Sequence, residues 1–231
     1  MDHKKILWVC SLTLVSGIQD ALDKKIESKY TKLMKSDIEE ANDEFWEVVC
    51  PDKSSLSRSQ IKDMNLFTNC FLNIHGRDRF VECINSLRMN RSVIGDMINK
   101  DFLEYMQLAP ENKSGRGYSK YNILIDRFGF FWRQNSYFAY RLANAIAITR
   151  WAGVENIATK KEVLMILEDI ADLIIKEYPS YEVFGRNAML SHEIIKEKPE
   201  FKEIRRGVRT EEVKMEIVYH GFWSQIEWGG M

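Results

Sequence analysis

The chain has 231 residues, with 33 Lys and Arg against 34 Asp and Glu, a formal net charge of −1. Hydrophobic residues make up 45% and charged residues 29%, which excludes a disordered chain, a collagen and a small disulfide scaffold. The even charge lacks the basic excess of a nucleic-acid binder, and 12 Gly and 4 Pro are too few breakers for a many-turned β fold.

The start, Met1 to Gly17, puts Lys4 and Lys5 before an apolar run, as secretory signals do. Ser11, Thr13 and Ser16 interrupt that run. Leu7, Cys10, Leu14, Ile18, Ala21 and Leu22 return at helical steps. The expectation is a first core helix over 4–34, bent near Gly17. A signal peptide, and with it a secreted or periplasmic protein, is the alternative. No run reaches the roughly 20 apolar residues of a membrane span, so no membrane partner is expected.

Asp37 to Val49 reads as a second helix, with Ile38, Ala41, Phe45 and Val48 or Val49 on one side. Residues 51–55 make a turn. Ser57 and Gln60 form a capping box that opens a third helix, with Ile61, Met64, Phe67 or Thr68, Phe71 and Ile74 inward and Gly76 ending it. Asp78 to Met89 is a fourth, carrying Phe80, Val81, Ile84 and Leu87. Ser92 caps a fifth, whose core residues are Val93, Met97, Phe102 and Met106, and Pro110 stops it.

Residues 110–120 read as a flexible loop between two helical halves. Helices then follow over Tyr121–Trp132 and Ser136–Trp151, with Gly153 as the breaker. Thr159 and Glu162 form a second capping box. Behind it Val163, Ile166, Leu167, Ile170, Leu173 and Ile174 make a regular core face. Pro179 and Ser180 introduce a helix over Tyr181–Lys196. Residues 193–216 are charge-dense and read as solvated, and the tail carries Tyr219, Phe222, Trp223 and Trp228. The pattern predicts an all-α protein, one domain over 1–231, built as a globular bundle of roughly eight to ten helices.

Catalytic motifs are lacking. His192-Glu193 starts like H-E-x-x-H but meets Lys196 where the second ligand belongs. Gly117-Tyr-Ser119-Lys-Tyr121 lacks the second glycine of a nucleophile elbow. There is no phosphate-binding loop; Gly115-Arg116-Gly117 between Lys113 and Lys120 reads as solvated loop. Glu168, Asp169 and Asp172 have no E-x-x-H partner and read as an acidic surface. Glu39, Glu40, Asp43 and Glu44 beside Phe45-Trp46 read the same way, with docking of a basic partner on Trp46 as the alternative. Cys10, Cys50, Cys70 and Cys83 include no C-x-x-C pair and suit reduced thiols in a cytoplasm. No catalytic residue, metal or cofactor is expected.

The informative stretch is Tyr137 to Lys196. Arg141, Asn144, Ile148 and Trp151 share one helix face, and Ala139, Ala143 and Ala147 form a small-residue ridge. A buried Arg needs carboxylate or carbonyl partners. Arg141 is therefore either bonded to the carbonyls of a helix end or part of a polar pocket with Asn144 and Arg150. An ideal helix puts Arg150 on the face opposite Arg141, so one site using both needs other helices.

These residues carry a resemblance. Tyr-Arg141-Leu-Ala-Asn144-Ala-Ile-Ala-Ile-Thr-Arg150-Trp151-Ala-Gly, the capped helix with Glu162, and Tyr178-Pro-Ser180-Tyr181-Glu182-Val-Phe184-Gly185-Arg186 resemble the bacterial DUF1266 family. Phe222-Trp223-Ser-Gln-Ile226-Glu-Trp228 resembles its closing aromatic motif, and Leu7-Trp8 its first helix. Two positions depart from the pattern: Phe138 stands where an acid is expected, and Tyr181 where a Trp is usual. The family's function is unassigned, so the resemblance implies a fold and no catalytic residue. The expected function is a non-enzymatic protein-binding module, concretely an immunity-type inhibitor of a bacterial toxin. The alternative is a small-ligand binder or enzyme with a polar pocket around Arg141, Asn144 and Arg150. Candidate ligand or partner residues are Arg141, Asn144, Arg150, Trp151, Arg186, Trp46, Trp223 and Trp228.

Overall fold

A computed structural model describes residues 2–12, 27–36, 40–71, 74, 76–90, 93–107, 136–197 and 227–230. The protein is all-α. In chain order the helices are α1 His3–Ser11, α2 Glu27–Lys35, α3 Asp43–Val49, α4 Arg58–Phe71, α5 Arg77–Leu87, α6 Val93–Met106, α7 Ser136–Val154, α8 Lys160–Glu177 and α9 Tyr181–Glu197. A 3₁₀ turn covers Lys53–Ser55, and no strand occurs among the described residues.

Helix α7 is the axis. Every residue from Tyr137 to Ala152 is buried, and a helix that is apolar nearly all round belongs inside. Its alanines let neighbours approach, and it packs against α9, α8, α5, α6 and α1. Helix α1 is a second inner rod: Ile6 to Cys10 and Leu12 are fully buried, and it packs on α8, α2, α3 and α7. One continuous apolar core runs from Ile6 to Ala188. Each fully buried large side chain in it contributes roughly 1.5–3 kcal/mol.

Capping chemistry sets several boundaries. Gln60 Oε1 accepts from the Ser57 backbone N–H at 2.8 Å, and Ser57 Oγ from Gln60 N–H at 3.3 Å. The Thr159–Glu162 box is closed in both directions. Ser180 Oγ accepts from Val183 N–H at 3.3 Å at the start of α9.

Other boundaries differ from the expectations. The second expected helix begins at Asp43, not Asp37, because the extended Asn42 caps it by accepting from Phe45 N–H at 2.9 Å. Gly76 does not end α4, which stops at Phe71; with φ +89° it is the N-cap of α5. Gly153 does not break α7. The helix runs to Val154 and ends on Asn156 in the left-handed region, φ 56°. Asn156 N–H donates to Gly153 O at 3.1 Å and Ile157 N–H to Ala152 O at 2.8 Å, a Schellman ending with Asn in the place glycine usually takes.

Met97 and Val81, expected inside, are each 45% exposed. Helix α1 ends at Ser11 and α2 begins at Glu27; the expected bend at Gly17 lies outside the described residues. So do the expected loop at 110–120, the helix at 121–132, the 198–216 part of the charge-dense stretch, and Trp223.

Candidate functional site

The face of α7 that stood out in the sequence is built mainly to hold helix ends. Arg141 is 7% exposed. Its Nη1 donates to the Met89 carbonyl at 2.8 Å and its Nη2 to the Ser86 carbonyl, so the guanidinium closes the C-terminal end of α5. Cations are favoured at such ends because the last carbonyls lack helical partners. Burial pulls the Arg141 pKa below its usual value. Phe138, three residues before Arg141, packs in the core, and backbone oxygens hold the guanidinium.

Arg150 does the same job for another helix. It is fully buried, with Nε 3.0 Å from the Val49 carbonyl and Nη2 2.7 Å from that of Val48. These are the last carbonyls of α3. The two arginines therefore serve different helices, as their opposite faces on α7 anticipate.

Asn144 is 8% exposed, and its Oδ1 is buried with no hydrogen-bond partner. Trp151 is 5% exposed, and its indole N–H is likewise unpartnered. Arg186 pairs with Glu182 one turn away at 2.8 Å on the outer side of α9. Trp46 is half-buried on α3, with the Lys160 ammonium 4.6 Å from its ring centre. Trp228 lies against Trp8 and Tyr181. The structure thus distributes the candidate residues over several places.

Among the described residues, burial shifts the thiols and phenols around α7 upward. Burial pushes the Cys83 thiol up to about 11, raises Cys50, and pushes the Tyr137 phenol up to about 12. Tyr140 is raised as well, first by burial and then by Tyr137. All four are protonated at neutral pH, whereas nucleophilic cysteines need depressed values.

The acidic surfaces act as fasteners. Asp172 pairs with Lys5 at 2.5 Å and Asp169 with Arg88 at 2.8 Å, tying α8 to α1 and to the end of α5. Glu44 pairs with Lys32 at 2.9 Å, and Glu47 pairs with Lys29, tying α3 to α2. Among the described residues no group of three or more His, Cys, Asp or Glu could hold a metal ion. No described helix is long and apolar enough to cross a membrane. No protein-family model, curated protein or solved structure matches this chain; the likeness to the DUF1266 family rests on the residues named above.

The sequence reading underrated two features. Arg150 is the more deeply buried arginine, and its neighbours Thr149 and Trp151, in a run without acids, were the available signal. Trp8 joins Tyr181, Phe184 and Trp228 in an aromatic cluster; Trp8 and Trp228 are too far from the Tyr181–Phe184 pair in sequence for any local pattern to join them.

Proposed function

We propose that this chain is a non-enzymatic, cytoplasmic protein-binding module of the DUF1266 kind, concretely an immunity-type inhibitor that masks a bacterial toxin. The observation that supports this reading is the use of the two candidate guanidiniums. Arg141 and Arg150 both hold helix-end carbonyls, which leaves recognition to the outer surface. The exposed arc of α6 mixes Met97 and Leu103, 45% and 52% exposed, with Asp96, Lys100 and Glu104. Apolar anchors within a charged rim suit a protein interface, and a standard one buries about 1,600 Å² in total.

Gentle purification of the tagged protein from its native host tests this. The expected result is a one-to-one complex that re-forms from the two purified proteins. Met97→Asp with Leu103→Asp should weaken it at least tenfold without changing the unfolding curve. A chain that returns alone, or a complex indifferent to the double variant, counts against the reading.

One observation favours the pocket alternative: Asn144 Oδ1 is buried and meets no donor, while the Tyr140 hydroxyl hydrogen-bonds the same amide side chain. A thermal-shift screen of small polar compounds against wild type and Asn144→Leu tests it. A compound that raises Tm only in wild type supports the pocket; equal responses remove it.

A further inference from the structure

Residues 227–230 lodge between the first helix and the last one described. Trp228 stands edge-on to Trp8, centroids 4.9 Å apart at 90°, and to Tyr181, 5.0 Å apart at 86°. Phe184 lies 6.5 Å away. The Tyr181 hydroxyl donates to the Glu227 carbonyl at 3.1 Å. The segment folds on itself, Gly230 N–H donating to Glu227 O at 3.1 Å, with φ +92° at Gly229 and +75° at Gly230.

Gly230 is required by contact as well as by conformation. A Cβ there would fall 2.8 Å from Trp8 Cβ and 3.0 Å from the Lys4 carbonyl oxygen. Both atoms are fixed to the backbone of α1, so neither can swing aside as a side-chain tip would. Beneath the segment Trp8 is fully buried, while Trp228 itself is only partly covered. The Trp228 indole N–H meets no acceptor, whereas Trp8 hydrogen-bonds the Tyr181 hydroxyl. The described hold includes edge-on ring packing, the Tyr181–Glu227 hydrogen bond and a close glycine contact.

We propose that the slot formed by Trp8, Tyr181 and Phe184 is a peptide-binding site, and that Trp228-Gly229-Gly230 is its built-in, displaceable occupant. The ligand class is an aromatic residue followed by two small ones. An occupant carried on the same chain binds intramolecularly, at a raised effective concentration, so the strap stays closed with weak intrinsic affinity. A free segment of the same chemistry enters when the strap is disabled or when it binds more tightly than the resident. The slot does not depend on the toxin-inhibitor reading, which concerns another surface.

The test uses the full chain as wild type, Trp228→Ala and Gly230→Ala. An acetylated peptide of residues 227–231 is titrated to millimolar concentration and followed by saturation-transfer NMR. Both variants are expected to bind the peptide at least fivefold more strongly than wild type. A peptide carrying alanine in place of its tryptophan should not bind. The proposal is overturned if variants with wild-type circular dichroism take no more peptide than wild type. It is equally overturned if both variants lose their helical signal, because the segment is then a fixed part of the core.

Discussion

Arg150 donates through Nε to the carbonyl of Val49 at 3.0 Å, and the same side chain reaches Val48 through Nη2 at 2.7 Å. A residue buried to 0% exposure thereby joins the axial helix to the end of α3. Replacement by Ala strands two buried carbonyls and leaves a cavity. The expected loss is about 3–5 kcal/mol. Lys supplies charge without the planar fork and should lose about 1–3 kcal/mol. Urea unfolding followed at 222 nm measures both; an Ala variant as stable as wild type would remove the fastening role.

Gly153 lies against Cys50, just past the end of α3, and Val163 in the first turn of α8. A Cβ there would lie 2.5 Å from Cys50 Sγ and 2.9 Å from Val163 Cγ2. Gly153→Ala should destabilise by about 1–3 kcal/mol through overpacking, despite the better helix propensity of Ala. Cys50→Ala in the same chain removes the nearer obstacle. The double variant should therefore be more stable than the two single losses predict, and a double-mutant cycle reads the coupling directly. Strict additivity would contradict the contact.

How much of this was legible follows from the range of each interaction. The capping boxes at Ser57–Gln60 and Thr159–Glu162 were readable because donor and acceptor lie three residues apart. The α8 face was readable because its burial follows one helical period. Gly153 departs from the expectation because a breaker and a close-approach residue look identical in sequence; Cys50 and Val163, outside its helix, tell them apart. Met97 was placed inside because periodicity defines an arc without saying which arc is covered. The partners of Arg141 and Arg150 are backbone oxygens, which carry no residue identity, so no motif could name them.

Asn156 ends α7 with φ 56°, a conformation in which a β-carbon is strained and Asn is better tolerated than most residues. Asn156→Ala should cost about 1 kcal/mol. Asn156→Gly should leave stability unchanged or slightly raised. Thermal unfolding by circular dichroism separates the two; an Ala variant equal to the Gly variant would show that the backbone has moved away from the Schellman ending.

Glu162 ties the start of α8 to α5. Its carboxylate pairs with Arg77 and accepts from Thr159 N–H at 2.9 Å. The Arg77 guanidinium first, then the Thr159 hydrogen bonds, lower its pKa from 4.5 to about 2. A folded-state value below the unfolded one means that the unfolded chain takes up the proton first as pH falls. The stabilisation is therefore fully present above about pH 4.5 and is lost as pH drops toward about 2. Glu162→Gln removes this contribution, so its urea midpoint should lie below that of wild type at pH 6. The gap should shrink steadily below about pH 4.5, be much smaller at pH 2.5 and close only below about pH 2, and salt should narrow it at pH 6 because the pair is exposed. A constant difference between pH 6 and pH 2.5 would assign the effect to the neutral cap hydrogen bonds and away from the Arg77 pair.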